Sequence, residues 1–174
     1  WILPSEAPLG QTIAEYLGKT DWILEVKAPA NRGDCLSHRG IARELAGALA
    51  LDLKPLDRTG RQEWRGIERA ELAQSESKNC KQILAARVSG LEARESPDWL
   101  KGRLEAAGSR SINTIVDWTN WVLLGLGQPV HAYDAKAIAG GSLIVRDALE
   151  GETLTLLDGK EVQLTAADLV VADS

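Results

Sequence analysis

The sequence contains no methionine and no phenylalanine, and only two cysteines, two histidines and two tyrosines among its 174 residues. Cys35 and Cys80 stand far apart, outside any CxxC pair and without a neighbouring histidine pair, which excludes a disulfide framework and a zinc module. Both are expected to be buried or half-buried free thiols. No apolar run approaches the roughly 18 residues that a membrane helix needs. The opening WILPSEAPLG lacks the basic stretch and apolar core of a secretory signal, so a soluble cytoplasmic protein is expected. The missing methionines, the initiator included, suggest a piece excised or engineered from a longer protein.

What is present is ordinary globular composition, 44% hydrophobic and 26% charged, with six tryptophans carrying most of the aromatic content. The formal charge of −5 argues against a surface that grips nucleic acid throughout. Charge is unevenly spread: residues 78–110 hold seven Lys or Arg against four acids, and residues 147–174 hold one Lys against seven acids. A local phosphate-facing strip is therefore compatible with the sequence, beside the plainer reading of a solvated mixed surface.

Periodicity divides the chain. PLGQTIAEYLG places Leu9, Ile13, Tyr16 and Leu17 at helical spacing, with Gly18 placed to stop the helix. WILEVKA alternates as a half-buried strand over residues 22–28. After a PANRGD turn, Asp34 is placed to cap a helix with an apolar stripe of Leu36, Ile41, Leu45, Ala48 and Leu49. From 53 to 81 the pattern loosens into a connecting segment, with a strand expected around Ile67 to Leu72. QILAARVSG then reads as a strand. SPDWLKGRLEAAG reads as a helix with Ser96 as cap, Pro97 at the first position, a buried stripe of Leu100, Leu104 and Ala107, and Gly108 past the end.

Ser111 is expected to cap a second helix whose face carries Ile112, Ile115, Val116, Thr119, Val122, Leu123 and Leu126, ending at GLGQP. SLIVRDA, ETLTLLDGKEVQLT and DLVVAD read as strands, and Asp158-Gly159 is a strong hairpin signal. The order implies an α+β fold: a small helix-strand-helix module over 1–58, a linker over 59–80, and part of a mixed, largely antiparallel α+β domain over 81–174.

The stretch INTIVDWTNWVLLGLGQPVHAYD is apolar except for Asp117, Thr119, Asn120, Gln128, His131 and Asp134. Leaving a buried polar group unpaired costs about 1–3 kcal/mol, so each needs an internal partner or a ligand. Asp117 is read as a structural partner to the neighbouring turn through Thr114 or Asn113, and Thr119 as bonding back to the Ile115 carbonyl. Asn120 lies at the border of the apolar stripe and can face a cavity or solvent. His131, in the irregular segment after the helix, reads equally as a satisfied structural histidine or as a site residue. No nucleophile elbow, GxGxxG, P-loop or HExxH occurs.

Two long motifs, NRGDCLSHRGIARELAGAL and SPDWLKGRLEAAGSRSINTIVDWTNWVLLGLGQPVHAYD, resemble segments of the β subunit of bacterial-type phenylalanyl-tRNA synthetases. VRDALEGETLTLLDG and VVAD extend the likeness. It covers nearly the whole chain except the loose linker, with both motifs in the right order and separation. The resemblance implies a B1-like module to about residue 58 and, from about 80, the first half of the B3/B4 editing module. It implies that Arg110, Asn120 and His131 line an editing pocket. Asp117 and Asp134 also match the pattern and keep their structural reading. Trp118, Trp121 and Tyr133 depart from the family's usual residues, so aromatic packing is kept with an altered shape.

The family's pocket is completed by a Gly-Gly loop, a glutamate and a threonine that would lie beyond Ser174, leaving half a site here. The resemblance further implies an α2β2 enzyme in which this chain binds no cofactor, while ATP and Mg²⁺ act at the α subunit, and a site that meets the 3′ end of tRNA(Phe). Two alternatives stand beside it: a non-catalytic scaffold binding tRNA or the α subunit, and a free-standing deacylase. The B1-like segment counts against the second.

Overall fold

The computed structural model describes residues 2–18, 20–56 and 72–173. The chain forms two compact units that do not follow chain order, Trp1–Pro55 with Glu92–Ala132, and Leu56–Leu91 with Tyr133–Ser174. Of the strand expected around Ile67 to Leu72, residues 67–71 lie outside the described residues.

The first unit is helical. Helix α1 (Ile13–Tyr16) begins with a reciprocal capping box: the Glu15 amide donates to the Thr12 hydroxyl oxygen, and the Thr12 amide donates to the Glu15 carboxylate. Hydrogen bonds from Thr12 also hold the Glu15 carboxyl below its usual pKa. Gly18, at φ +62°, follows in the left-handed region. Helix α2 (His38–Ala48) is capped by Ser37, whose Oγ accepts from the Gly40 amide at 3.1 Å. Asp34, expected as the cap, instead lies in a 3₁₀ turn, Gly33–Cys35, paired with Arg32 at 2.9 Å and Arg43 at 3.3 Å. The tight turn ends at Leu36 before the helix starts, which moves the capping position to the next hydroxyl. Gly40 is obligatory there: a Cβ would fall 1.6 Å from the Asp34 carbonyl oxygen.

Helix α3 (Asp98–Ala106) has Pro97 at its cap position with no side-chain cap bond, and buries Leu100 and Leu104 completely. Ala107, expected in that stripe, is exposed at the helix end. Helix α4 (Thr114–Leu126) is capped by Asn113, whose Oδ1 accepts from the Ile115 and Val116 amides at 3.0 and 3.1 Å. It ends at Gly127 in the left-handed conformation at φ +78°. The serines expected to cap α3 and α4, Ser96 and Ser111, are both drawn to Asp117 instead. Trp99 of α3 meets Trp118 and Trp121 of α4 edge-on, with centroids 5.7 and 5.6 Å apart, so the unusual tryptophans pack the α3–α4 contact.

Residues 22–28 form no strand, and Trp22, Leu24 and Val26 stay exposed. Alternation creates a strand only where a ladder partner exists, and no described strand pairs with this segment. The expected strand at 82–90 is absent for the same reason.

The second unit carries the sheets. Strand β1 (Ala73–Ser75) runs parallel to β2 (Leu143–Asp147), which pairs antiparallel with β5 (Leu169–Ala172), Val145 opposite Val171. Val145 is buried at the centre, with Ala148 just past the strand. Strands β3 (Thr153–Thr155) and β4 (Glu161–Gln163) form the expected hairpin across Asp158-Gly159, Gly159 at φ +82°. Arg146 donates to both Glu152 carboxylate oxygens at 2.8 Å, tying β2 to the start of the hairpin. The fold is α+β with mixed sheets, in agreement with the sequence.

Candidate functional site

Arg110, Asn120 and His131 all belong to the helical unit and come from three successive pieces of chain. Arg110 is exposed in the turn between α3 and α4, Asn120 is half-buried in the middle of α4, and His131 is exposed in the irregular segment that follows.

The turn that carries Arg110 is fixed by one carboxylate. Asp117, wholly buried, accepts from the Ser96 and Ser111 hydroxyls, each at 2.5 Å, and from the Ile112 amide at 2.9 Å. Burial pushes the Asp117 carboxyl upward, but the hydrogen bonds from Ser111, Ser96 and Ile112 outweigh it and hold the group below its usual value. Asp117 is thus a charged staple joining the approach to α3, the 109–113 turn and the first turn of α4. Sequence placed it as structural and tied to the turn before it; the Asp117 amide does donate to the Asn113 carbonyl at 2.8 Å, whereas the carboxylate takes Ser96, Ser111 and Ile112 rather than Thr114. Thr114 serves the same junction differently: its hydroxyl donates to the Arg94 carbonyl at 2.6 Å and accepts from the Arg94 amide at 3.2 Å. Thr119 Oγ1 donates one residue later than expected, to the Val116 carbonyl at 2.7 Å.

Gln128 of the stretch donates from its side-chain amide to the Pro129 carbonyl at 3.3 Å. Asp134 accepts from the Lys136 amide at 3.0 Å, an Asx turn that supports its structural reading. In the second unit a hollow of about 250 Å³ is lined by Tyr133, Asp134, Ile138, Leu143, Val171 and Asp173. Its carboxylates serve the backbone, Asp173 accepting from the Ala139 amide at 2.8 Å.

One residue without a role in the sequence reading reaches this region. His38, the first residue of α2, donates from Nδ1 to the Leu124 carbonyl in the last turn of α4 at 2.9 Å. A contact 86 residues apart in sequence leaves no periodic signal. Asp34, Cys35 and Glu44 also cluster, but both carboxylates accept from Arg32, Glu44 at 2.5 Å, so the group is an ion-pair network. The Arg32 hydrogen bond lowers Asp34 to about 2.

Among the described residues no helix is long and apolar enough to cross a membrane. The chain is 44% identical over 173 residues to the phenylalanine–tRNA ligase beta subunit of Geobacter metallireducens, covering 99% of this chain and 22% of that protein. It is 42% identical over 178 residues to the subunit of the same name from Bdellovibrio bacteriovorus, covering 99% of this chain and 21% of that one. The Geobacter sulfurreducens subunit is 40% identical over 173 residues, with 99% and 22% covered. The chain spans about a fifth of the length of the curated relatives it matches. The likeness drawn from the two long motifs is therefore borne out across the chain. The B3/4 domain family matches residues 79–174, a stretch that includes Arg110, Asn120 and His131. With more than half its length matched in this way, the chain belongs to the B3/4 domain family.

Proposed function

We propose that this chain is part of the beta subunit of a phenylalanine–tRNA ligase and supplies half of a site that hydrolyses tyrosine mistakenly attached to tRNA(Phe). The observation that carries the reading is the 44% identity over 173 residues to a beta subunit of that name, in a sequence that keeps Arg110, Asn120 and His131 within its motifs. In the parent enzyme, a cytoplasmic α2β2 assembly, ATP and Mg²⁺ serve the charging reaction at the α subunit. The chain itself takes the 3′ end of the tRNA.

Energetics supply the need for a second site. An apolar pocket that accepts phenylalanine rejects an analogue with one added hydroxyl by only about a hundredfold. A site that hydrogen-bonds that hydroxyl discriminates by roughly 10⁴ to 10⁵, because phenylalanine leaves its polar groups unpaired. Hydrolysis at the second site then completes a double sieve. Water attacks the ester carbonyl, the bond to the ribose oxygen breaks, and the ribose hydroxyl is regenerated as tyrosine leaves. Arg110 presents a planar fork of donors for the terminal phosphate or ribose. Asn120 orients the aminoacyl group, and His131 orders the water or holds the adenosine. Because the remaining pocket groups are expected outside this chain, the isolated chain is inactive. The test is release of tyrosine from Tyr-tRNA(Phe) by the chain extended through the rest of the B3/B4 module, with and without His131→Ala. Loss of hydrolysis with retained tRNA binding in the variant supports the role of His131. Unchanged hydrolysis removes it from the mechanism.

A further inference from the structure

The amino-terminal segment touches α4 where that helix ends. His38 Nδ1 holds the Leu124 carbonyl at 2.9 Å, and Ser37 packs against Gly127 so closely that a Cβ there would lie 3.2 Å from both Ser37 Cβ and Oγ. Gly127 turns the chain through φ +78° while its amide closes on the Leu123 carbonyl at 2.8 Å. From that turn only Gln128, Pro129 and Val130 separate the helix from His131, and Pro129 restricts the backbone of the link. The Ser37 hydroxyl is itself held by the Gly40 amide, so the contact is a fixed surface.

We infer that Ser37 and His38 form a clamp on the exit of α4 that positions His131, making the amino-terminal module a working part of the site. The two residues are positioning residues, acting through Leu124 and Gly127. This rests on the proposed role of His131 for its catalytic consequence, though not for its structural one.

The chain's two histidines make the test direct, because replacing His38 leaves His131 as its one imidazole resonance. In NMR spectra of the isotope-labelled chain, His38→Leu is expected to shift the His131 Cε1–Hε1 signal together with the Gly127 amide. His38→Asn, whose amide N–H takes the place of Nδ1–H, is expected to keep both near their wild-type positions. Should the leucine variant fail to fold, His38→Gln, with its amide displaced outward, takes its place in the comparison. A His131 signal unmoved in a folded variant that lacks the Leu124 bond overturns the proposal. In the ligase carrying the same substitutions, His38→Leu is expected to lower kcat for tyrosine release about tenfold or more. KM stays within about twofold, and His38→Asn restores the rate. Normal kcat in His38→Leu, where His131→Ala abolishes hydrolysis, also overturns it. Equal hydrolysis in wild type and His131→Ala, with the NMR shifts as expected, defeats the editing reading and leaves the clamp standing.

Discussion

Asp117 shows how much rests on one side chain. It accepts three hydrogen bonds with no exposed surface, and removing it leaves three donors without their acceptor. Asp117→Ala is expected to cost about 3 kcal/mol in denaturant unfolding, and Asp117→Asn about 2 kcal/mol, because one amide hydrogen would face hydroxyl donors. The pH dependence follows from its lowered pKa. The folded state favours the ionised form, so this contribution is present above the ordinary carboxylate value of 3.8 and is lost as pH falls below it. Asp117→Asn should flatten the acid limb of a stability–pH profile; an unchanged limb would contradict the assignment. At Gly40 the argument is steric. A Cβ placed 1.6 Å from a backbone oxygen cannot be accommodated by a rotamer change, so Gly40→Ala should lower stability by about 2 kcal/mol or more in urea unfolding.

At the scale of elements, what the sequence disclosed depended on how local the cause was. The Asp158-Gly159 hairpin and the Gly127 stop were legible, because turn chemistry acts within a few residues. The strand read at 22–28 failed because alternation says nothing about whether a pairing partner exists. Helix starts were displaced for a related reason. Ser96, Ser111 and Asp34 all have capping chemistry, but Asp117 takes both serines and the flanking arginines take the aspartate, so Ser37 and Asn113 cap instead. Asn113→Ala should therefore destabilise α4 by about 1 kcal/mol. Chemical denaturation checks this, with Ser111→Ala as a contrast whose loss comes through Asp117. In the hairpin, Arg146 lowers the Glu152 carboxyl to about 2. Its ion pair supports the fold above the ordinary value of 4.5 and fades as pH falls toward 2, an effect that Glu152→Gln should remove from acid titrations of the β2 amide signals.

For the molecule as a whole, the residues nominated from sequence, Arg110, Asn120 and His131, fall in one compact unit, shared with the amino-terminal module. That unit was not legible as such. Its pieces are separated by residues 56–91, and contacts such as that of His38 with Leu124 join positions too distant for any periodic pattern to link. The family was legible because long motifs in fixed order survive where single residues are ambiguous, and His131 alone could not have been told from a structural histidine. At this scale the proposal is that these three residues form half of a composite hydrolytic site. The measurement that tests it most directly is the rate of tyrosine release from Tyr-tRNA(Phe) by this chain and by the chain extended through the whole B3/B4 module. Release by the extended chain alone, abolished by His131→Ala, is the expected result. No release by either chain, with the extended one folded and binding tRNA, would contradict the claim and leave the region a scaffold.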